Sequence, residues 1–98
     1  MDTTTKVEIV NNKEMSRFEM KLGSDIAYVD YGWRNDVFEL LFIFVPVQYR
    51  GKGIAEDLIK YVLNHAVANN LSIDIYCSWI AAFVRNHSEY HFLLNKNR

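Results

Sequence analysis

Residues 42–55 decide the fold of this chain, and they read FIFVPVQYRGKGIA. The stretch begins with an apolar run, reaches the only proline of the sequence, Pro46, and ends in a basic step that contains two glycines. Proline lacks a backbone donor and so ends a strand, whereas glycine permits the close approach of a ligand to the backbone. The stretch therefore predicts the end of a strand followed by a turn that opens a helix.

Behind this turn, residues 54–67 carry apolar side chains at helical spacing. The apolar stripe consists of Ile54, Ala55, Leu58, Ile59, Val62, Leu63, Ala66 and Val67. His65 falls on the polar side of the pattern, so we expect its imidazole to be exposed to solvent. Asn69 and Asn70 end the predicted helix.

Ahead of the turn, the sequence alternates with a period of two and predicts an antiparallel meander. Residues 17–22, RFEMKL, place Phe18, Met20 and Leu22 on one face, which is typical of a half-buried strand. The other strands predicted here are residues 6–10, 26–33 and 37–45, and Asn11 and Asn12 suggest a turn after the first of them. Residues 40–45 are apolar on both faces, which predicts a central strand covered on both sides.

A strand and a short helix follow the long helix. Residues 72–77, SIDIYC, alternate again and put Cys77 on the same face as two isoleucines. We expect a short helix over residues 79–86 with Ser78 as its N-cap, and an apolar strand or turn over residues 90–94. The order of elements predicts an α+β fold, in which a mixed, mainly antiparallel sheet carries one long and one short helix.

The composition limits the classes of function. The chain has 98 residues, of which 50% are hydrophobic, so we expect a single domain over residues 1–98 with residues 1–5 disordered. The formal net charge of -1 gives no general attraction to nucleic acid or to an anionic membrane. No spacing of His, Cys, Asp and Glu matches a metal site. We therefore expect no nucleic-acid partner, no membrane partner and no metal.

The single cysteine, Cys77, cannot form an internal disulfide, and a lone thiol suits a reducing compartment. The N-terminal sequence MDTTTKVEIV lacks the apolar segment of a secretory signal. The apolar run at residues 40–47 is much shorter than the roughly 20 residues that span a bilayer. These features predict a cytoplasmic protein.

The basic glycine step suggests a phosphate-binding turn. A helix N-terminus presents unpaired N–H groups and a partial positive charge, which suit phosphate oxygens. A plain strand-to-helix turn with solvated basic side chains is the alternative, and Gly-x-Gly alone favours it. A nucleotide triphosphate P-loop is excluded because Gly53, not Ser or Thr, follows Lys52. A dinucleotide fingerprint is excluded because Ala55 comes one residue too early.

The wider pattern QYRGKGIA resembles the motif Gln/Arg-x-x-Gly-x-Gly/Ala of the GNAT N-acetyltransferases, with Gln48, Gly51 and Gly53 at the motif positions. The resemblance covers residues 18–94. It is strongest to a small single-domain branch marked by VP…RGKGIA, by CSWI after the next strand, and by a tail similar to NHSEY. The resemblance implies a GNAT-like fold and acetyl coenzyme A as the cosubstrate.

The resemblance also implies roles for particular residues. It implies that the strand end, at Phe44 and Val45, hydrogen-bonds the pantetheine arm, and that the strand at residues 72–76 splays away to open a slot for the thioester. The acceptor that it implies is an amine on a small molecule or a protein, and we expect a monomer or a weak dimer. The amides implied to hold the diphosphate belong to Arg50, Gly51, Lys52, Gly53, Ile54 and Ala55.

The sequence departs from this branch at one pair of residues. A His-Thr pair usually precedes the Val-Pro strand end, and Phe42 and Ile43 stand there instead. A phenyl ring cannot accept a proton from an amine as an imidazole can. The departure leaves cofactor binding intact, and it makes a non-catalytic acyl-coenzyme A binder or sensor the alternative to an acetyltransferase.

Cys77 is the candidate catalytic residue. It precedes a helix start, where the helix N-terminus favours the thiolate, and a thiolate beside the acetyl thioester can accept the acetyl group and pass it to an amine. The branch resemblance points to the same residue. Two alternatives stay open. The thiol can pack in the core beside Ile73 and Ile75, or the amine can attack the thioester directly while a strand amide near Val45 binds the oxyanion.

Overall fold

A five-stranded sheet forms the centre of the computed structural model, which describes residues 8–96. Its strands are β1 (Ile9–Asn12), β2 (Arg17–Leu22), β3 (Asp25–Arg34), β4 (Val37–Phe44) and β5 (Ser72–Ile75). They lie side by side in sequence order. The first four pair antiparallel as a meander, and β5 pairs parallel with β4. The predicted mixed, mainly antiparallel sheet is confirmed.

Within the described part of the chain two α-helices follow β4, the long α1 (Ile54–Ala68) and the short α2 (Ser78–Arg85). Glu56 and Asp57 lie in the first turn of α1, where negative charge complements the helix dipole. At the other end, the Asn69 side chain donates a hydrogen bond to the carbonyl of His65 at 2.8 Å and so satisfies one of the last free carbonyls. The α+β class with one long and one short helix is confirmed.

One continuous core lies between the sheet and both helices. The alternation along β2 is as predicted, because Phe18 and Met20 are each only 2% exposed. From the other elements, the core includes Val29, Phe38, Leu40, Leu58, Ile59, Val62, Leu63, Ile73, Ile80 and Val84. Since α1 and α2 share this core, both helices pack on the same face of the sheet.

The opposite face of β4 differs from the prediction. We predicted a strand covered on both sides, but Leu41 is 39% exposed and Phe42 is 48% exposed. The prediction is wrong because, within residues 8–96, neither helix covers this face. A β-bulge also interrupts the pairing of this strand with β3. Tyr31 pairs with Leu40 and Asp30 pairs with Phe42, so Leu41 is the extra residue.

The first strand also differs from the prediction. Asn11 and Asn12 belong to β1 instead of forming a turn. Cross-strand hydrogen bonds stabilise them there: Tyr31 donates to Asn11 Oδ1 at 2.6 Å, and Asn12 Nδ2 donates to Glu19 at 3.0 Å. The disorder predicted for residues 1–5, and the first two residues of the strand predicted over 6–10, lie outside the described residues.

Two side chains of α1 exchange their expected places. His65 is half-buried, with its ring 5.1 Å from that of Phe18 and 6.1 Å from that of Phe38. Val67, predicted to face the core, is 39% exposed. At about 100° per residue, His65 lies about 60° from the buried Val62 around the helix axis, whereas Val67 lies about 140° away. The sheet-facing arc therefore includes the histidine and excludes the valine.

The C-terminal elements need two smaller corrections. Cys77 is the N-cap residue of α2 and Ser78 is its first residue, so the prediction of Ser78 as the cap is wrong by one position. The segment predicted as a strand or turn over residues 90–94 is mainly a 3-10 helix, Ser88–Leu93. Leu94 then forms a single parallel bridge with Ile73.

We expect Ile59→Ala to lower the free energy of unfolding by about 3 kcal/mol, because the side chain is fully buried and its removal leaves a cavity. Val67→Ala on the same helix is the matched control. Its side chain is 39% exposed, so the loss should stay within about 0.5 kcal/mol. Urea denaturation of the two variants measures both values, and equal losses would contradict the assignment of the buried face of α1.

Candidate functional site

Strands β4 and β5 separate beyond Leu40. Their pairing runs from Val37–Ser72 to Leu40–Ile75, and the last hydrogen bond passes from the amide of Tyr76 to the carbonyl of Leu40 at 2.8 Å. Beyond this point β4 continues to Phe44, whereas the other chain turns at Cys77 into α2. The edge of β4 beyond Leu40 therefore faces a gap instead of a neighbouring strand.

The gap opens into a cleft of about 650 Å³, which is large enough for a cofactor-sized ligand. Three segments line it: the end of β4 at residues 42–45, the turn that leads into α1, and residues 77–79. The predicted site residues that line it are Phe44, Val45, Arg50, Gly51, Gly53, Ile54, Ala55 and Cys77. Lys52 is exposed and is not among the residues that line the cleft.

The turn before α1 depends on its glycines. Gly51 and Gly53 have φ values of 78° and 81°, in the left-handed region where a side chain is strained. A Cβ atom added at either glycine would meet no described heavy atom within 4 Å, so the space beside the turn is open. Glycine is therefore required for the backbone conformation, and it also keeps this wall of the cleft free of side chains.

The N-terminus of α1 presents free donors to this open space. The first α-helical hydrogen bond is donated by the amide of Asp57 to the carbonyl of Gly53 at 3.1 Å. The amides of residues 54–56 precede it and have no α-helical partner. Together with the partial positive charge of the helix end, they form an arrangement that suits phosphate oxygens.

Arg50 connects the turn to the end of β4. Its Nε donates a hydrogen bond to the carbonyl of Val45 at 2.8 Å, and its guanidinium carbon lies 5.9 Å from the centre of the Phe44 ring. The guanidinium has five N–H donors, so others remain for a ligand in the cleft. A ligand that donates to Val45 must share this carbonyl with Arg50 or displace the side chain.

The side chains of Gln48 and Tyr49 hold the turn against the sheet. Gln48 Nε2 donates to Asp25 at 2.9 Å, and the Tyr49 hydroxyl donates to the carbonyl of Leu22 at 3.2 Å. Both contacts reach the β2–β3 hairpin. The motif glutamine therefore holds the turn against the sheet and does not line the cleft.

Sequence reasoning missed several residues that line the cleft. They are Tyr49, Glu56, Ser78 and Trp79. Tyr49 lies inside the motif and Trp79 inside CSWI, so these two were close to signals that were recognised. Nothing in the periodicity distinguishes a tryptophan that lines a cleft from one that packs in a core.

Cys77 lies at the end of the cleft where the strands have separated. It is half-buried and packs against the core while also lining the cleft, so both of its predicted environments occur together. Of the residues that line the cleft, the only carboxylate belongs to Glu56, in the first turn of α1, and none carries an imidazole. Among the residues that line the cleft, Cys77 supplies a thiol and its neighbour Ser78 supplies a hydroxyl.

Glu39 is the nearest acidic residue along β4, but it does not line the cleft. Its carboxylate pairs with Arg34 at 3.3 Å and accepts a hydrogen bond from the Tyr76 hydroxyl at 3.4 Å. Arg34 is the donor to the Tyr76 hydroxyl oxygen and to the Glu39 carboxylate, and these two side-chain hydrogen bonds, with Tyr76 as the larger cause, raise the pKa of the guanidinium above its ordinary value. Glu39 is thus part of a charged cluster on the open face of the sheet.

Within residues 8–96, no group of three or more His, Cys, Asp and Glu side chains lies in a position to hold a metal ion. None of the helices in this part of the chain is long and apolar enough to cross a membrane.

Comparison with known proteins agrees with the fold. The family model described as GCN5-related N-acetyl-transferase matches residues 17–93, which is more than half of the chain. The match contains both glycines of the turn and Cys77. The chain belongs to the GCN5-related N-acetyltransferase family.

Curated relatives are similar over nearly the whole chain. Protein NATD1 of Danio rerio is 25% identical over 97 residues, covering 95% of this chain and 87% of the relative. Protein NATD1 of Xenopus tropicalis is 24% identical over 90 residues, covering 89% of this chain and 83% of the relative. The protein is thus an N-acetyltransferase-like protein that aligns with most of each relative.

Proposed function

We propose that this protein binds acetyl coenzyme A in the cleft and transfers the acetyl group to an amine. The observation that carries the proposal is the arrangement of the cleft, which begins at a glycine-flanked helix N-terminus and ends at a cysteine. We further propose a cytoplasmic reaction and a monomer or weak dimer, with a small-molecule or protein amine as the acceptor. These assignments follow from the single free thiol and from the family.

The residues at the two ends of the cleft have different tasks. The amides of residues 54–56 bind the diphosphate, and Arg50 and Lys52 add positive charge beside them. The backbone of Phe44 and Val45, which within residues 8–96 has no neighbouring strand on the side of β5, hydrogen-bonds the pantetheine arm. The arm is held as a sheet strand would be, so the thioester is presented to Cys77 in one orientation.

Cys77 carries the acetyl group in this mechanism. Its sulfur attacks the thioester carbonyl, the bond between the acetyl carbon and the coenzyme A sulfur breaks, and that sulfur takes up the proton lost by Cys77. The amine then attacks acetyl-Cys77, loses a proton to solvent, and releases the thiol of Cys77 as the sulfur is reprotonated. One thioester replaces another in the first step, so no strong base is required in the cleft.

Titration calorimetry with acetyl coenzyme A tests the binding step. We expect saturable binding and, at a ligand concentration about 100 times the dissociation constant, about 2.7 kcal/mol of added stability. Pantetheine, which lacks the diphosphate, should bind at least about tenfold more weakly because it misses the turn. No heat of binding and no thermal stabilisation at millimolar ligand would contradict the proposal.

A non-catalytic acyl-coenzyme A binder or sensor is the second candidate function. Phe42 favours it, because this side chain lines the cleft at the position where the resemblance led us to expect a histidine. Both candidates require the same binding step, and they differ in whether Cys77 becomes acetylated.

A further inference from the structure

A side chain of the same chain already occupies the end of β4. The Nε atom of Arg50 donates to the Val45 carbonyl at 2.8 Å, and the guanidinium carbon lies 5.9 Å from the centre of the Phe44 ring. The guanidinium therefore lies beside both residues to which the proposed function assigns the pantetheine arm. All three residues line the cleft, so this contact is made inside the cleft.

The contact takes the place of a hydrogen bond within the sheet. The last pair between β3 and β4 is Tyr28–Phe44, and the last hydrogen bond from the side of β5 reaches the carbonyl of Leu40. Val45 lies beyond both positions, and its carbonyl accepts from the arginine side chain. Arg50 thus supplies the donor that a neighbouring strand supplies elsewhere in the sheet.

The arginine side chain can leave this position without disturbing the turn. The backbone of Arg50 is held separately, because its amide donates to the carbonyl of Val47 at 3.3 Å. The residue is exposed, and its hydrogen bond to Val45 lies at the surface. A change of rotamer would break this hydrogen bond and leave the backbone of the turn as it is.

A diphosphate at the turn offers the guanidinium a stronger partner than a carbonyl. Arg50 directly precedes Gly51 and lines the same cleft as both glycines of the turn. Hydrogen bonds between a guanidinium and a phosphate carry charge on both sides and can form as a parallel pair. The Val45 carbonyl is neutral and accepts a single hydrogen bond from this side chain. An anion at the turn therefore competes with the strand end for Arg50.

We propose that Arg50 closes the end of β4 in the free protein and that a diphosphate bound at the turn opens it. This inference rests on the proposed function, which places the diphosphate at the turn and the pantetheine arm at the strand end. The two ends of the ligand are then coupled, because binding of one removes the obstacle to the other. Arg50 becomes the residue that selects thioesters carrying a diphosphate over shorter ones.

Calorimetry of the full chain with S-acetylpantetheine, in the presence and absence of inorganic pyrophosphate, tests the coupling. In the wild-type protein, saturating pyrophosphate should tighten binding of S-acetylpantetheine about tenfold, as the release of one hydrogen bond predicts. Arg50→Met should bind S-acetylpantetheine about tenfold more tightly than the wild type without pyrophosphate, and pyrophosphate should add nothing further. A residue with only a structural role would not produce this gain.

Lys52→Met is the matched control. It removes a positive charge from the same turn, but Lys52 is exposed and is not among the residues that line the cleft. This variant should weaken binding of pyrophosphate, while its affinity for S-acetylpantetheine alone should equal that of the wild type. An equal gain in Arg50→Met and Lys52→Met would overturn the closure by Arg50, since loss of charge would then explain both.

The remaining outcomes separate this inference from the function on which it rests. If acetyl coenzyme A does not bind the wild-type protein, the proposed function fails and the closure by Arg50 fails with it. If acetyl coenzyme A binds but pyrophosphate leaves the affinity for S-acetylpantetheine unchanged, the closure is overturned and the proposed function stands. The same conclusion follows if Arg50→Met shows no binding of S-acetylpantetheine at millimolar concentration, or binds it no more tightly than the wild type.

Discussion

Substituting aspartate for Gly53 is expected to raise the dissociation constant of acetyl coenzyme A at least about 100-fold, or about 2.7 kcal/mol. The open space beside Gly53 would receive the new carboxylate, which would occupy the position proposed for the diphosphate. Like charges about 4 Å apart repel by about 4 kcal/mol at an effective dielectric constant of about 20. Repulsion alone is therefore large enough to account for the loss, which calorimetry measures.

Gly23→Asp is the matched control for this variant. Gly23 also has a positive φ, of 63°, and a Cβ there would lie 3.6 Å from the Tyr49 hydroxyl, an ordinary contact distance. Both substitutions put aspartate into the left-handed region, so both should destabilise the fold by about 1 kcal/mol. Only Gly53→Asp should affect the ligand. Equal affinities for the two variants would show that the turn does not hold the diphosphate.

Local sequence patterns were sufficient to predict much of the fold. The alternation in β2, and the end of β4 just before Pro46, depend on backbone chemistry and on which face of a strand is buried. The glycine step could be assigned to a turn that opens a helix because only glycine adopts its two left-handed positions without strain. Each of these features depends on residues that are close together in the chain, so a single sequence is sufficient to predict it.

The errors arose where burial depends on distant parts of the chain. Phe42 was assigned to a covered strand because an apolar side chain facing a cleft has the same pattern as one facing a core. His65 was assigned to solvent because its partners, Phe18 and Phe38, come from strands that the helix period does not describe. In each case the packing of helices on one face of the sheet decided the outcome.

The candidate site also has parts that the sequence predicts and parts that depend on tertiary packing. Its turn and strand end could be predicted because their residues are consecutive. The contact of Arg50 with the Val45 carbonyl depends on how sharply the turn folds back on β4. The place of Trp79 in the wall of the cleft depends on how α2 packs beside the start of α1, which no local pattern of the sequence describes.

Incubation with acetyl coenzyme A in the absence of an amine is expected to add one acetyl group to the protein, at Cys77. Cys77 supplies a thiol to the cleft and none of the residues that line the cleft carries an imidazole, so we expect the thiol to accept the acetyl group. Cys77→Ala should bind acetyl coenzyme A with unchanged affinity and lose at least about 1,000-fold in turnover, as removal of a nucleophile does. Ser88→Ala, at an exposed position, is the control and should retain full activity.

Intact-protein mass spectrometry and a coenzyme A release assay distinguish three outcomes: transfer through Cys77, direct attack by the amine, and binding without catalysis. Acetyl-Cys77 that disappears when an amine is added supports transfer through the thiol. Wild-type turnover by Cys77→Ala would instead require direct attack by the amine, with the oxyanion held near Val45. If acetyl coenzyme A binds but neither acetyl-Cys77 nor coenzyme A release is detected with any amine, the protein is a binder. Phe42 then explains the loss of catalysis, because a phenyl ring cannot take the proton that an amine must give up.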